Sequence, residues 1–553
     1  MTGSTHEYEA TLLVGDDQYP LGIRRAGRIV LDAGRAPHVL ADLDLSLPDE
    51  ATQLLLDPRT NARVRIDVAA TSPTGVQERT FDLSLRSRPI THGPDAYARV
   101  TLASDEALLD TFRAGADDPT PFTLAASLRT VIDYVLGEAI PGAELEADPD
   151  NDTDLTPYWE VTNLIRNPAV VTDLANWSPG GGVTLAYVSA GSSGEVGVTM
   201  TNPTGAVFAV DTSKYNIPAR PGERYTFSLA QRYVGSLTGS GRAVLRFLDN
   251  NNATISEVEG DAVNMTTSYE RVEVTAVAPP SAVKVAPFWR VSGGTGRTYR
   301  LDQALLHTSP FPVPPFTGGD AAGGGYTYRF EGPSNDSASI RTPDVERDPD
   351  ALVWRAGDSA LDFLHPLVQA AGYRLVCDEQ RRWTLRDENY TTPGSLDVRE
   401  GVNLIGGEDV IDIDAGEWCD AQATVYRWTD RDGIQREAVD YYELNSPPFL
   451  VNRVEVDAPY PGPGRSQYAV RRAQGRGREV TVTTVADWRT HAEQPAQFTL
   501  DSALIQLGQT SRVEFDLSTD RMTVSSRTTD TPLGAIDLLG GTIDSLVGTI
   551  DAL

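Results

Sequence analysis

Apolar and polar residues alternate with period two in NARVRIDVAATS (61–72) and RTFDLSLRSRPI (79–90), which predicts two strands. The Ser-Pro-Thr-Gly stretch at 72–75 predicts the turn of a hairpin between them. Alternation means one buried and one wet face, so residues 1–104 read as a small barrel or sandwich. The period then changes. Leu128, Val131, Ile132, Val135 and Leu136 fall at i, i+3, i+4, i+7 and i+8, one helical stripe closed by Gly137. DEALLDTFRAG (105–115) predicts a shorter helix, and the acidic, turn-rich ELEADPDNDTDLTP (144–157) a linker.

Between 158 and 318 short strands recur: GVTLAYVS (182–189), RYTFSLAQRYV (224–234), RAVLRFLD (242–249), YERVEVTAVA (269–278), AVKVAPFWRV (282–291) and TYRLDQALLH (298–307). Gly and Asn turns at such spacing predict an antiparallel β-sandwich. The Pro/Gly-rich stretch 311–325 reads as its exit linker. Residues 359–373 predict a helix with Leu361, Leu364, Leu367, Val368 and Ala371 on one face, Pro366 weighing against an unbroken one. YRLVCDEQRRWTLRD (373–387) predicts a hairpin around Asp-Glu-Gln. Residues 408–530 return to β, with an alternating strand at 478–488 and a hairpin at 511–528 turning at Ser518-Thr519-Asp520. The expected class is mainly β and multidomain. It has a first barrel-like domain (1–104), a split α/β domain (105–157 and 326–400), an inserted sandwich (158–318), a second barrel-like domain (401–530) and a tail (531–553).

The last 18 residues repeat every seven, with Ile536, Ile543 and Ile550 in one register and Leu539, Leu546 and Leu553 three residues later. This a/d pattern predicts an oligomerisation or docking tail. Gly540, Gly541 and Gly548 each oppose helix by ~1 kcal/mol relative to Ala, so the tail orders against a partner rather than alone.

Composition narrows the function. The 553 residues carry 47 basic and 78 acidic side chains, a net charge of −31, which disfavours a general nucleic-acid binder. Two cysteines, Cys377 and Cys419, build neither a disulfide framework nor a four-ligand zinc site. No apolar run reaches the ~18 residues of a membrane span, and no secretory signal pattern is visible at the N-terminus. G-x-S-x-G, H-E-x-x-H and Walker A motifs are absent, so no catalytic residue is assigned. Asp148, Asp150, Asp152 and Asp154 have calcium-loop spacing. Thr153 replaces the expected Gly and Trp159 the expected Glu, which favours a solvated linker. In this acidic chain Arg465, Arg471, Arg472, Arg476 and Arg478 stand out in a Gly-rich stretch; one reading is a contact to a neighbouring acidic subunit or to passing DNA, the other an exposed loop plus strand start balanced by local Asp and Glu. Among the sandwich aromatics, Trp289 and Tyr215, then Trp177 and Tyr233, are the candidate sugar-stacking residues.

NLIRNPAVVTDLANWSPGGG (163–182) resembles the opening of family 4/9 jelly-roll carbohydrate-binding modules through Asn163, Leu164, Ile165, Asn167, Pro168 and Trp177. YRLDQALL (299–306) is similar to their closing strand, and the resemblance implies a structural calcium at Asp302. GGGYTYRFEGPSNDSASIR (323–341) resembles a segment that follows such modules in phage tail proteins. ASDEALLDTF, GDSALDFLHPLVQAAGYRLVCDEQRRWTLRD and SRVEFDLSTDRMTVSSRT resemble minor tail, or baseplate hub, proteins of long-tailed actinobacterial phages. The resemblance implies two barrel-like domains from each of three subunits in a ring that continues the tail tube. It implies a virion tail-tip location after synthesis in the host cytoplasm. The expected partners are two further copies, a distal tail protein, the tape measure, tip or fibre proteins and a host-surface glycan. Genome DNA would pass through the lumen without specific binding, and no cofactor is expected beyond the calcium. The competing readings are a secreted glycan-active enzyme with a binding module and a hexameric distal tail or receptor-binding protein.

Overall fold

The computed structural model describes residues 5–72, 75–148, 150–156, 159–190, 193–211, 217–235, 239–309, 311–411, 418–430, 433–473, 478–500 and 506–528. The chain is mainly β and multidomain. It divides into two compact units, one of Met1–Thr156, Ala351–Arg427 and Glu437–Leu553, the other of Pro157–Asp350 and Trp428–Arg436. The heptad residues Ile536, Leu539, Ile543, Leu546, Ile550 and Leu553 lie outside the described residues.

In the first unit the period-two segments form the expected hairpin. Arg63–Ser72 pairs antiparallel with Gly75–Ser87, Ile66 opposite Phe81. Val64, Ile66, Phe81 and Leu83 are fully buried, each worth about 1.5–3 kcal/mol of transfer free energy. The two β stretches are joined by their backbones, however. Strands from both ends of the chain join one 14-stranded sheet, and the described residues form no closed barrel. The joint is Ile23–Asp32 against Gln506–Asp516, with Ile29 opposite Phe515 and Leu31 opposite Val513. The reason is edge chemistry. Ile23–Asp32 has Val39–Ser46 on one side, and without the C-terminal strand its other side would leave a row of N–H and C=O groups unpaired. Alternation marks a strand but does not name its neighbour. A single core backs the joint. The Trp488 ring stacks on Phe515 at 4.2 Å and meets Phe81 edge-on at 6.3 Å.

The helical layer is also built from distant segments. Leu128–Ala139 is capped by Ser127, whose Oγ accepts from Thr130 N, and buries the predicted stripe. The helix runs past Gly137, since that residue keeps helical φ and Ile140 N closes the last turn on Leu136 O. Ala360–Ala370 is capped by Ser359 and continues through Pro366. These helices share a core with the hairpin Arg374–Cys377 and Trp383–Arg386. The acidic stretch is part of this layer rather than a free linker. Asp152 accepts from Ser127 Oγ and Arg129 N, and Leu155 N bonds to Ala125 O.

The second unit contains a sandwich of two antiparallel sheets. One has Thr204–Phe208, Lys284–Ser292, Ser240–Leu248 and Thr254–Glu259 in order. The other has Val183–Ala190, Ser193–Met200, Thr298–His307, Arg224–Val234 and Glu270–Val277. Phe227, Phe247, Phe288, Trp289 and Tyr299 fill the space between. Ser339–Pro343 pairs with Tyr326–Phe330 on one side and with Val161–Asn163 on the other in this unit, and Phe316 of the expected exit linker is buried beside Val161.

Candidate functional site

On each sandwich strand alternate residues face the core, so the residues between them build the outer face. On the sheet of Val183–Ala190 and its neighbours that face carries a charged cluster. Val196 lies opposite Leu301 and Arg232 opposite Arg300, which brings Glu195, Arg232 and Arg300 together. Glu195 is only 6 % exposed. Its carboxylate accepts from Arg232 Nη2 at 3.0 and 3.1 Å and from Tyr269 Oη at 2.7 Å, with Arg300 Nε at 3.3 Å. Burial alone would raise the Glu195 carboxyl, but Tyr269 and Arg232 outweigh it and hold it below the usual range. Arg232 also lies over the Tyr269 ring, 5.0 Å from its centroid, and that ring is 40 % exposed. Such a face can hydrogen-bond hydroxyls and stack an apolar ring face.

Asp302 sits next to this cluster. Burial, with Glu195 adding, pushes its carboxyl up to about 6 against the opposing pull of Arg271. Oδ1 accepts from Gln303 N at 2.7 Å. Calcium takes about six to eight oxygen ligands. Among the described residues no group of three His, Cys, Asp or Glu side chains is placed to hold a metal ion. The motif around Asn163 has a structural role instead. Asn163 Oδ1 accepts from Ile165 N and Leu306 N while Nδ2 donates to Ala304 O and Phe316 O, tying the first strand to the last. Asn167 Nδ2 bonds Asp173 O and Ala175 O.

The expected stacking residues are not brought together. Trp289 is 0 % exposed, and its Nε1 donates to Gln231 Oε1 at 2.7 Å. Trp177 is 6 % exposed and donates to Asn167 O at 3.0 Å. Tyr233 is partly buried against the sandwich core, and Tyr215 lies outside the described residues. A ring packed on both faces has none to offer a sugar. Composition favoured the tryptophans, whereas strand alternation was the signal that places Arg232 and Arg300 outward.

The arginine cluster is not an exposed loop. Residues Arg465–Ala473 form a helix whose first turn is held by Asp440, which accepts from Ser466 N at 2.7 Å. Arg471 bonds Glu388 Oε1 at 2.5 Å on the surface. Arg472 is buried and donates to Ala33 O at 3.1 Å. Arg465 lies beside Tyr426, where its charge opposes the rise that burial imposes on that phenol. Arg478 begins the strand Arg478–Val485, and Arg476 lies outside the described residues. The local sequence hid the helix because its buried side is made by Ser466, Tyr468, Val470 and the Arg472 stem rather than by an aliphatic stripe.

No family model matches the chain. No curated protein matches it either. Among solved structures it is similar to the 43 kDa tail protein of prophage MuSo2 from Shewanella oneidensis, at 8 % identity over 94 % of this chain and 98 % of that one, TM-score 0.38. It is similar to the tail protein from Neisseria meningitidis MC58 at 7 % identity over 95 % and 97 %, TM-score 0.36. A xylan-binding CBM22-1 domain of Paenibacillus barcinonensis matches 28 % of this chain over 99 % of its own length, at 12 % identity and TM-score 0.22. The chain spans 27 % of the length of an arabinofuranosidase it also matches. All four TM-scores lie below what a shared overall fold requires. No helix of the described residues is long and apolar enough to cross a membrane.

Proposed function

We propose that the chain is a structural subunit of a phage tail tip, a minor tail or hub protein of which three copies form a ring continuing the tail tube. The observation that carries this reading is a small sheet in which Ala421–Thr429 lies between Gln435–Glu443 and Val451–Val456. Both outer strands have an open edge among the described residues. Val439, Tyr441, Leu444, Phe449 and Val451 stand exposed on and beside these strands, Phe449 at 76 %. Open edges and clustered exposed apolar side chains are what protein association covers. Pairing one edge with the other edge of the next copy is head-to-tail, and a head-to-tail interface that closes makes a ring.

In this reading the distal tail protein, the tape measure and tip or fibre proteins are neighbours along the axis. The net charge of −31 lets genome DNA slide past without phosphate contacts. The role is assembly rather than catalysis. The protein is made in the host cytoplasm and carried in the virion. The sandwich serves host-surface glycan adhesion through the Glu195, Arg232, Arg300 and Tyr269 face, three weak contacts on one axis adding as avidity. Cryo-electron microscopy of intact particles tests the proposal. Three copies around the tail axis at the tip support it, and six copies or density away from the axis would refute it.

A further inference from the structure

The loop after the strand Ile23–Asp32, the helix Arg465–Ala473 and the hairpin of Gln506–Asp516 with Arg521–Thr528 enclose a cavity of about 300 Å³. Arg35, Arg472, Arg512 and Arg527 stand in its wall. A smaller cavity of about 130 Å³ shares Ala33, Gly34, Arg35 and Arg472 and adds Arg374. Together the two walls hold five guanidiniums against three carboxylates, in a chain whose overall balance is strongly the reverse.

Those carboxylates are partly committed. Glu493 accepts from Arg386 Nη1 at 2.9 Å and from Arg374. Asp32 Oδ1 accepts from Gly34 N at 2.8 Å, and its other oxygen lies 3.5 Å from Arg35. Two buried nitrogens in the walls, Arg374 Nε and Arg512 Nε, have no acceptor among the described residues. The guanidiniums also crowd one another. Burial lowers the pKa of Arg374 well below the ordinary value, and neighbouring Arg472, Arg386 and Arg527 push it the same way. Like charges gathered in a partly enclosed space repel, and an oxyanion relieves that repulsion while accepting paired N–H bonds from planar forks.

We propose that this cavity is a binding site for a multivalent oxyanion, bearing phosphate or carboxylate groups, that bridges Arg472 of the helix to Arg512 and Arg527 of the C-terminal hairpin. The site does not depend on the ring reading, since its walls all come from the first unit of a single chain.

Titration calorimetry and thermal melts of the full chain with pyrophosphate, with citrate and with sodium chloride at matched ionic strength test it. Saturable binding of at least one multivalent anion, raising Tm beyond the chloride control, is expected. Pyrophosphate alone assigns phosphate, citrate alone assigns carboxylate, and binding of both assigns the shared chemistry. Arg527→Gln and Arg512→Gln, at less buried positions than Arg472, should each weaken binding at least ~10-fold, the loss of a charge-assisted pair. Arg453→Gln, on the separate three-stranded sheet, should leave it unchanged. Absence of saturable binding in the wild type, or equal affinity in both wall variants, overturns the proposal.

Discussion

Arg79 and Glu379 form a buried ion pair, Nη2 to Oε1 at 2.7 Å, three hundred residues apart in sequence. Arg79 also donates to Trp488 O at 3.1 Å and Thr490 O at 2.7 Å, and its Nη2 lies 2.9 Å from His491 Nδ1. It therefore fastens the N-terminal strand Gly75–Ser87 to the helical layer and to the C-terminal β segment. Burial would raise the Glu379 carboxyl, but the Arg79 charge outweighs it and holds it at about 2 against an ordinary 4.5. A depressed folded pKa stabilises above the unfolded value and loses that contribution as pH falls through the folded one. The difference of about 2.5 units, at about 1.36 kcal/mol each, is ~3 kcal/mol, present above pH ~4.5 and lost towards pH ~2. Breaking one partner of a buried pair costs a similar ~3–5 kcal/mol. Arg79→Met should therefore destabilise the protein by about 3 kcal/mol at pH 7 and abolish this acid-dependent loss, because the stranded carboxyl takes up a proton instead. Urea unfolding followed by tryptophan fluorescence between pH 2.5 and 7 measures both. A variant whose stability falls with acid in parallel with wild type refutes the reasoning.

Phe515→Ala removes the ring stacked on Trp488 and should cost about 3–5 kcal/mol. Hydrogen exchange should then quicken in both Ile23–Asp32 and Gln506–Asp516, because they share a ladder; faster exchange in the C-terminal strand alone would contradict the joint sheet. Trp289→Ala empties a fully buried site in the sandwich and should lower the stability of that unit by about 3–5 kcal/mol, read as a Tm shift by calorimetry; an unchanged Tm would mean the indole is not core. Phe449→Asp alters an exposed ring and should weaken self-association in sedimentation velocity. Unchanged sedimentation would place the interface elsewhere.

Local periodicity made much of the fold legible. The strand at 224–234 and that at 298–307 match Arg224–Val234 and Thr298–His307, and the stripe at 128–136 is the buried face of its helix. Pairing across the chain was not legible. Nothing in the alternation of Ile23–Asp32 says that its neighbour lies almost five hundred residues on, so the sheet that joins the two β stretches could not be read from either one. The site was less legible still. Trp289 looked like a platform because large aromatics stand out in composition, yet a two-sheet core needs such volume inside. Glu195 and Tyr269 are unremarkable in sequence and meet only because four paired strands set their register. The run of arginines read as a loop because charge and glycine obscured a helix that lays the Arg472 stem inward.

The mass of the purified full chain by light scattering, across a range of concentrations, tests the assembly claim most directly. The account predicts a species of three times 59.8 kDa that Phe449→Asp dissociates. A single 59.8 kDa species at every concentration would contradict it.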